Sequence, residues 1–427
     1  MRFSTQLCLA VTLVGSVGVP PGLHAQTPCC ELFGRSIADE YRVGSVTERR
    51  FTHAELWSAL TPDLGRGGVR VTDLGLSVQG RAIRAVEFGL GPTRVLLWSQ
   101  MHGDESAATM ALADIIHFFA NGGDDPLRGL IGEQLTVIMV PMLNPDGAER
   151  FQRHNALGVD INRDARRLAT PEGRVLQSLR DSLGPDFGFN LHDQGARNTA
   201  GRDGEPVAIA LLAPAADSAR SYGRVRDRAR QLAAVLATVL DKELPGRTAK
   251  YDDTFNPRAF GDLIQQWGTS TVLIESGALP GDPQKQELRR VNVMLLLTAL
   301  EAIATSRYEE ADPDTYEDLP FNRGVASDIL LTGGWVVQPA GDPVQLDLAL
   351  RYDDPVARTG LTLGDVGDLG GAVAMDTVDV SGLYLHVVTP STLDPGNWWL
   401  IRQEPIAVTI RRGTDAESEV VRRLPED

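Results

Sequence analysis

The stretch TRVLLWSQMHGDESAATMALADIIHFFA, Thr93 to Ala120, passes from a β-rich apolar run through a short polar turn into a helical pattern. The run of apolar residues around Val95–Trp98 predicts a strand buried on both faces. Beyond the turn, Leu112, Ile115, Ile116 and Phe119 share one face at helical spacing. The same alternation recurs between about residues 69 and 305. AIRAVEFG, LTVIMVP, VAIALLA and TVLIES read as strands, and longer helical patterns separate them. One helix is expected from about Ser218 to Leu244, stopped by Pro245-Gly246, and another from Asp282-Pro283 to about Ala304, with the aspartate as N-cap. Apolar strands alternating with helices predict an α/β domain whose central sheet is covered by helices on both faces.

The texture changes after residue 305. SRYEEADPDTYEDLP, Ser306 to Pro320, is acidic, proline-bearing and poor in apolar residues, so 306–320 reads as a linker. The pieces DILLTGGWVVQP, VQLDLALRY, LYLHVVTP and AVTIRR then predict a small all-β module over 321–427, of sandwich type. At the other end, LCLAVTLVGSVGV after Arg2 is an apolar run of secretory-leader length, with Pro20, Pro21 and Gly22 behind it. A leader over 1–25 is expected, and with it a secreted or periplasmic protein whose first domain occupies 26–305. No later run is long enough to span a membrane. Of the three cysteines, the adjacent Cys29 and Cys30 remain beyond the leader, and they would close almost no loop. A net charge of -16 argues against a nucleic-acid partner.

Two ionisable residues, His102 and Glu105, sit three apart where the buried strand turns into the helix. Residues at that spacing can present their side chains on the same side, as a metal pair would. By itself the spacing equally fits a carboxylate favoured by the helix dipole, with a histidine in the turn before it. A catalytic zinc needs a third ligand. Of the remaining histidines, His53 lies in a polar N-terminal region, His117 within a helix, His154 in a polar loop and His386 in the C-terminal module. His192, in DFGFNLHDQG, ends a strand-like run as His102 does, and sites in open α/β sheets assemble at strand ends.

With His102 and Glu105, the stretch NPDGAERFQRHNALGVDINRD from Asn144 to Asp164, the lone His192, and Glu275 in TVLIESG, the sequence resembles the M14 family of zinc carboxypeptidases from Leu74 to Ala304. The resemblance implies a mixed central sheet and one Zn2+ per chain held by His102, Glu105 and His192. It implies that Glu275 is the general base, then acid, for a zinc-activated water. Arg153 takes the place of the family's oxyanion-stabilising arginine. Asn162 and Arg163 stand where the family binds the terminal carboxylate of its substrate, a task suited to the guanidinium fork.

This chain departs from the family at two points: Asp104 stands where digestive members carry an arginine, and Asp164 replaces an asparagine. Tyr251 is the candidate for the family's mobile tyrosine. The function implied is an exported metallocarboxypeptidase acting on peptide or peptide-like substrates. The alternatives are a zinc amidase on cell-wall peptides or acylated amino acids, and a non-catalytic binding protein. Because every candidate site residue precedes Ser306, the C-terminal module is expected to be dispensable for the chemistry.

Overall fold

The computed structural model describes residues 30–202 and 204–426. The leader-like segment 1–25, Cys29 and the side chain of Cys30 fall outside what is described. Strands β1 (Arg70–Leu76), β2 (Ala82–Phe88), β3 (Thr93–Trp98), β4 (Leu135–Val140) and β5 (Phe187–Asp193) come first. After the short β6 (Asn198–Ala200) follow β7 (Ile209–Leu212), β8 (Thr248–Lys250) and β9 (Ser270–Ser276). Without β6 they form one eight-stranded sheet in the order β1-β2-β4-β3-β5-β9-β7-β8. The centre, β4-β3-β5-β9, is parallel, while β1, β2 and β7 join antiparallel, so the sheet is mixed.

Alternation along β3 explains the unbroken apolar run. Val95 and Leu97 face a core shared with helices Ala107–Asn121, Arg224–Glu243 and Gln286–Ala304. Leu96 and Trp98 face a second core with Leu176, Phe260 and Ile264 from helices Pro171–Leu183 and Phe260–Gln266. Successive strand side chains point to opposite faces, so a sheet covered on both sides must be apolar at every position. In the helix after β3, Leu112, Ile115, Ile116, Phe118 and Phe119 are fully buried. Each contributes about 1.5–3 kcal/mol, and together they fix where the residues just before the helix stand.

The expected helix at Asp282 starts later, at Gln286. The Asp282 carboxylate still caps it, accepting from the amides of Gln286, Glu287 and Leu288. Between them Lys285 takes a left-handed conformation, φ 53°, which turns its side chain inward. The expected helix at Ser218 likewise begins only at Arg224.

Segment 306–320 is not a free tether. It forms a 3-10 turn, Arg307–Glu310, and a short helix, Asp314–Glu317. Tyr308 and Tyr316 are buried in the main core, and the Tyr316 hydroxyl accepts from the amide of Ala213. Two aromatic anchors outweigh the polar composition that suggested a linker.

The C-terminal strands are β10 (Asn322–Gly324), β11 (Ser327–Val336), β12 (Val344–Asp354), β13 (Thr359–Gly367), β14 (Ala374–Asp379), β15 (Tyr384–Val388), β16 (Ala407–Arg411) and β17 (Val420–Leu424). Seven of them form one hydrogen-bonded sheet around its own core rather than two facing sheets. The reason lies in β11, which pairs with β14 up to Thr332 and with β15 from Trp335. Between them Gly333 adopts φ 73° at a bulge. β10 leaves this sheet and pairs antiparallel with β6 of the first domain. Arg197, just before β6, donates to Asp328 and to the Tyr352 carbonyl, which ties the module down beside the end of β5.

Candidate metal centre

The turn after β3 is built by close backbone packing. A Cβ on Gly103 would lie 2.0 Å from the Gly147 carbonyl carbon, so only glycine fits there. Asn144 caps helix Pro145–Glu149 by accepting from the Gly147 amide, and its Nδ2 donates to the carbonyls of Met101 and Arg153. Asp146, fully buried, accepts from Ser77, Gln79 and Arg81. The NPDG stretch is thus a clamp that fixes the loop carrying His102 against the loop carrying Arg153.

His102, Glu105 and His192 meet at the C-terminal ends of β3 and β5, all buried. Glu105 Oε1 lies 2.7 Å from His102 Nδ1, and Oε2 lies 2.6 Å from His192 Nδ1. The two Nδ1 atoms are 3.2 Å apart. Two nitrogens bound to one tetrahedral zinc at about 2.0–2.1 Å stand roughly 3.3 Å apart, so the imidazoles are spaced for one ion. The donor set of two imidazoles and one carboxylate fits one Zn2+ with a position left open. Among the described residues this is the one such group of histidine, cysteine and acidic side chains.

The surrounding groups orient these donors. His102 Nε2 is 3.0 Å from Asp160 Oδ1, the arrangement in which a carboxylate fixes the tautomer of a ligating histidine. Asn162 Oδ1 accepts from the Phe260 amide, which sets its Nδ2 at 3.4 Å from His192 Nε2. Asp193 donates its amide to Glu105 Oε2 and accepts from Lys285 Nζ at 2.9 Å. Burial opposes charge on Glu105, but His192 and His102 outweigh it and hold the carboxyl far below its usual range. His102 is opposed by burial too, yet Glu105 and Asp160 raise it to about 9.

Glu275 on β9 is in register with His192 on β5. Burial, then the charge of Glu105, pushes its carboxyl well above the ordinary value. Arg153 donates from Nε and Nη2 to Asp160 Oδ2, and from Nη1 to Glu105 at 3.2 Å. Glu275, Arg153, Asn162, Arg163 and Tyr251 all line the cavity over the cluster, which has a volume of about 610 Å³. Asp104 lines it too. Asp164 does not: its carboxylate accepts from the amides of Ala169 and Thr170, a purely structural post.

Sequence reasoning missed four contributors. Asp160 sits inside the quoted Asn144–Asp164 stretch, where an acid two residues before Asn162 was the available signal. Lys285 was read only as part of a helix start. Arg49 and the segment Asp353–Val356 also line the cavity, so the C-terminal module, expected to be dispensable for the chemistry, contributes to the cavity wall.

Residues 65–199, about a third of the chain, match the family described as zinc carboxypeptidase, peptidase M14. This matched segment carries all three metal-site residues, His102, Glu105 and His192. Probable carboxypeptidase 2 of Arthroderma benhamiae is 28% identical over 161 residues, 37% of this chain and 30% of that protein. Carboxypeptidase SOL1 of Arabidopsis thaliana is 31% identical over 102 residues, 22% and 21% of the two chains. A metallo-carboxypeptidase of known structure from Burkholderia cenocepacia superposes with a TM-score of 0.48 at 18% identity, covering 60% of this chain and 70% of that one. The chain spans about a third of the length of the curated relatives it matches.

Proposed function

We propose that this protein is an exported metallocarboxypeptidase that hydrolyses the C-terminal peptide bond of peptide substrates. The observation that carries this reading is the register of the strand ends: His192 on β5 stands beside Glu275 on β9, next to the His102–Glu105 pair. Bound zinc would supply a Lewis acid for the scissile carbonyl and acidify a water.

The chain's own groups do the rest. Glu275, half-buried in the cavity lining, accepts the proton of the attacking water and returns it to the leaving amine. Arg153, already directed toward the cluster by Asp160, presents its guanidinium to the charge that develops on the carbonyl oxygen. Arg163 and Asn162 line the same cavity and receive the substrate's terminal carboxylate. Export is supported by the leader-like residues 1–25, and no helix among the described residues is long and apolar enough to cross a membrane.

The test is a pair of peptides, one a free acid and the other its C-terminal amide, with product masses read before and after chelation. Release of the last residue from the acid only, lost on chelation and restored by zinc, is the expected result. Equal cleavage of acid and amide would replace this reading with the amidase one.

A further inference from the structure

The cavity wall is completed from outside the first domain. The segment Asp353–Val356, the end of β12 and the first half of the turn to β13, lies at one end of the C-terminal sheet and lines the cavity that holds the metal cluster. Asp354 performs two tasks there. Its Oδ1 accepts from the amides of Val356 and Ala357, which shapes the turn, and its Oδ2 is paired with Arg49. Arg50 stands 3.9 Å from the same oxygen.

The two arginines lie over the ring of Phe151, at 5.6 and 4.6 Å from its centre. Phe151 has φ 47°, a conformation that a bulky residue keeps only when its surroundings hold it. The Arg49 carbonyl accepts from Ser106, the residue after Glu105. Three distant parts of the chain are thereby locked into one strap beside the metal ligands. Asn162 and Arg163, in contrast, approach the cavity from the side of His192 and Phe260.

We propose that this strap, formed by Arg49 and the segment Asp353–Val356, is a specificity wall that limits how far a substrate extends from the metal on its N-terminal side. The inference rests on the carboxypeptidase reading for the substrate's direction. With the terminal carboxylate at Arg163 and the scissile bond at the metal, the remaining peptide runs toward Arg49 and the turn. The cavity, about 610 Å³ and open to solvent, is the size of a small-ligand site, and Arg49 and Asp353–Val356 form part of its lining. The wall therefore favours short peptides and makes the C-terminal module part of the recognition apparatus.

The experiment measures binding rather than turnover. Zinc-loaded full-length protein is titrated with the alanine peptide hydroxamates Ac-(Ala)n-NHOH, with n from one to six, whose tails run to the N-terminal side of the metal. Wild type should bind the short members at least about tenfold more tightly than the longest, a difference of roughly 1.4 kcal/mol. Arg49→Gln unties the strap and Val356→Gly trims it, and each should bring the long-to-short ratio back toward one. Zinc content, measured alongside, identifies a variant that has failed to fold.

Affinity that stays level or rises with length in wild type overturns the proposal, as does a ratio that neither variant moves. Absence of hydroxamate binding by zinc-loaded protein overturns it as well. Because no cleavage is involved, loss of the carboxypeptidase reading would appear separately, in the acid and amide comparison.

Discussion

Asp160→Asn is expected to weaken zinc binding by 10- to 100-fold without removing a ligand. In the structure Oδ1 faces His102 Nε2 at 3.0 Å while Oδ2 accepts two bonds from Arg153, at 3.1 and 2.9 Å. An asparagine cannot accept on both sides. If its oxygen turns to His102, its NH2 meets the guanidinium; if it turns to Arg153, the NH2 meets the imidazole and favours the wrong tautomer. The Arg153 side chain is 39% exposed, so solvent screens its share. The buried His102 contact carries most of the effect. One charge-assisted hydrogen bond is worth about 1.5–3 kcal/mol, which is roughly one to two decades of affinity and agrees with the usual cost of losing such an orienting carboxylate. Competition against a chelator of known affinity, at alkaline pH where protons compete little for imidazole, reads the change directly. A loss under about threefold would show that Asp160 does not orient His102 for the metal.

Glu275→Gln should retain zinc and the fold while kcat falls on the order of 10²–10⁴-fold, because the amide cannot take the water's proton; a drop under about tenfold in steady-state assays would assign the base elsewhere. Arg163→Ala should reduce kcat/KM for the free-acid peptide roughly 10- to 100-fold and leave zinc content unchanged, so the acid-over-amide preference shrinks; an unchanged preference removes Arg163 from carboxylate recognition. Asp262→Asn should stabilise the protein at neutral pH. Burial, against the pull of the Asn256 amide and Arg163, raises Asp262 from 3.8 to about 6. Its charged form is therefore disfavoured in the fold, with a penalty absent below the unfolded pKa and complete above about 6. The variant's gain, on the order of 2–3 kcal/mol, should appear in denaturation at about pH 8 and vanish by about pH 4; an equal gain at both would refute the assignment.

What was legible in the sequence was what the backbone decides locally. The apolar run in β3 had to be a doubly covered strand, and HGDE and NPDG carry glycines that only close main-chain packing explains. That His102 and His192 could meet followed from both ending strands, whereas Glu275 was pointed to only by the family resemblance; the pairing of β5 with β9 sets it beside His192. Illegible were contacts between remote segments whose residues carry no pattern of their own. Arg49 and Asp354 stand 305 residues apart, and nothing in either neighbourhood announces the other. Tyr308 and Tyr316 show the same limit, since composition reads as a solvated tether until the pocket that receives each ring is known.

Lys285 shows why a helix start can be read correctly in its cap and wrongly in its position. Asp282 caps as expected, but three residues intervene before the helix begins. The left-handed backbone at Lys285 sends its ammonium to Asp193 at 2.9 Å and to the Ser276 carbonyl at 3.2 Å, both buried. Burying two charges is costly, and a pair of this kind seldom adds net stability over apolar neighbours. Its effect here is positional. Asp193 follows His192 and gives its amide to Glu105, and it accepts from the Ala107 amide at the head of the helix after β3. Lys285 therefore joins the end of β5, the end of β9 and the start of that helix behind the metal ligands. A helix begun at Pro283 would have carried this lysine away from Asp193, leaving an uncompensated buried carboxylate beside Glu105, at a cost of about 3–5 kcal/mol. The later start is what the site requires of the fold.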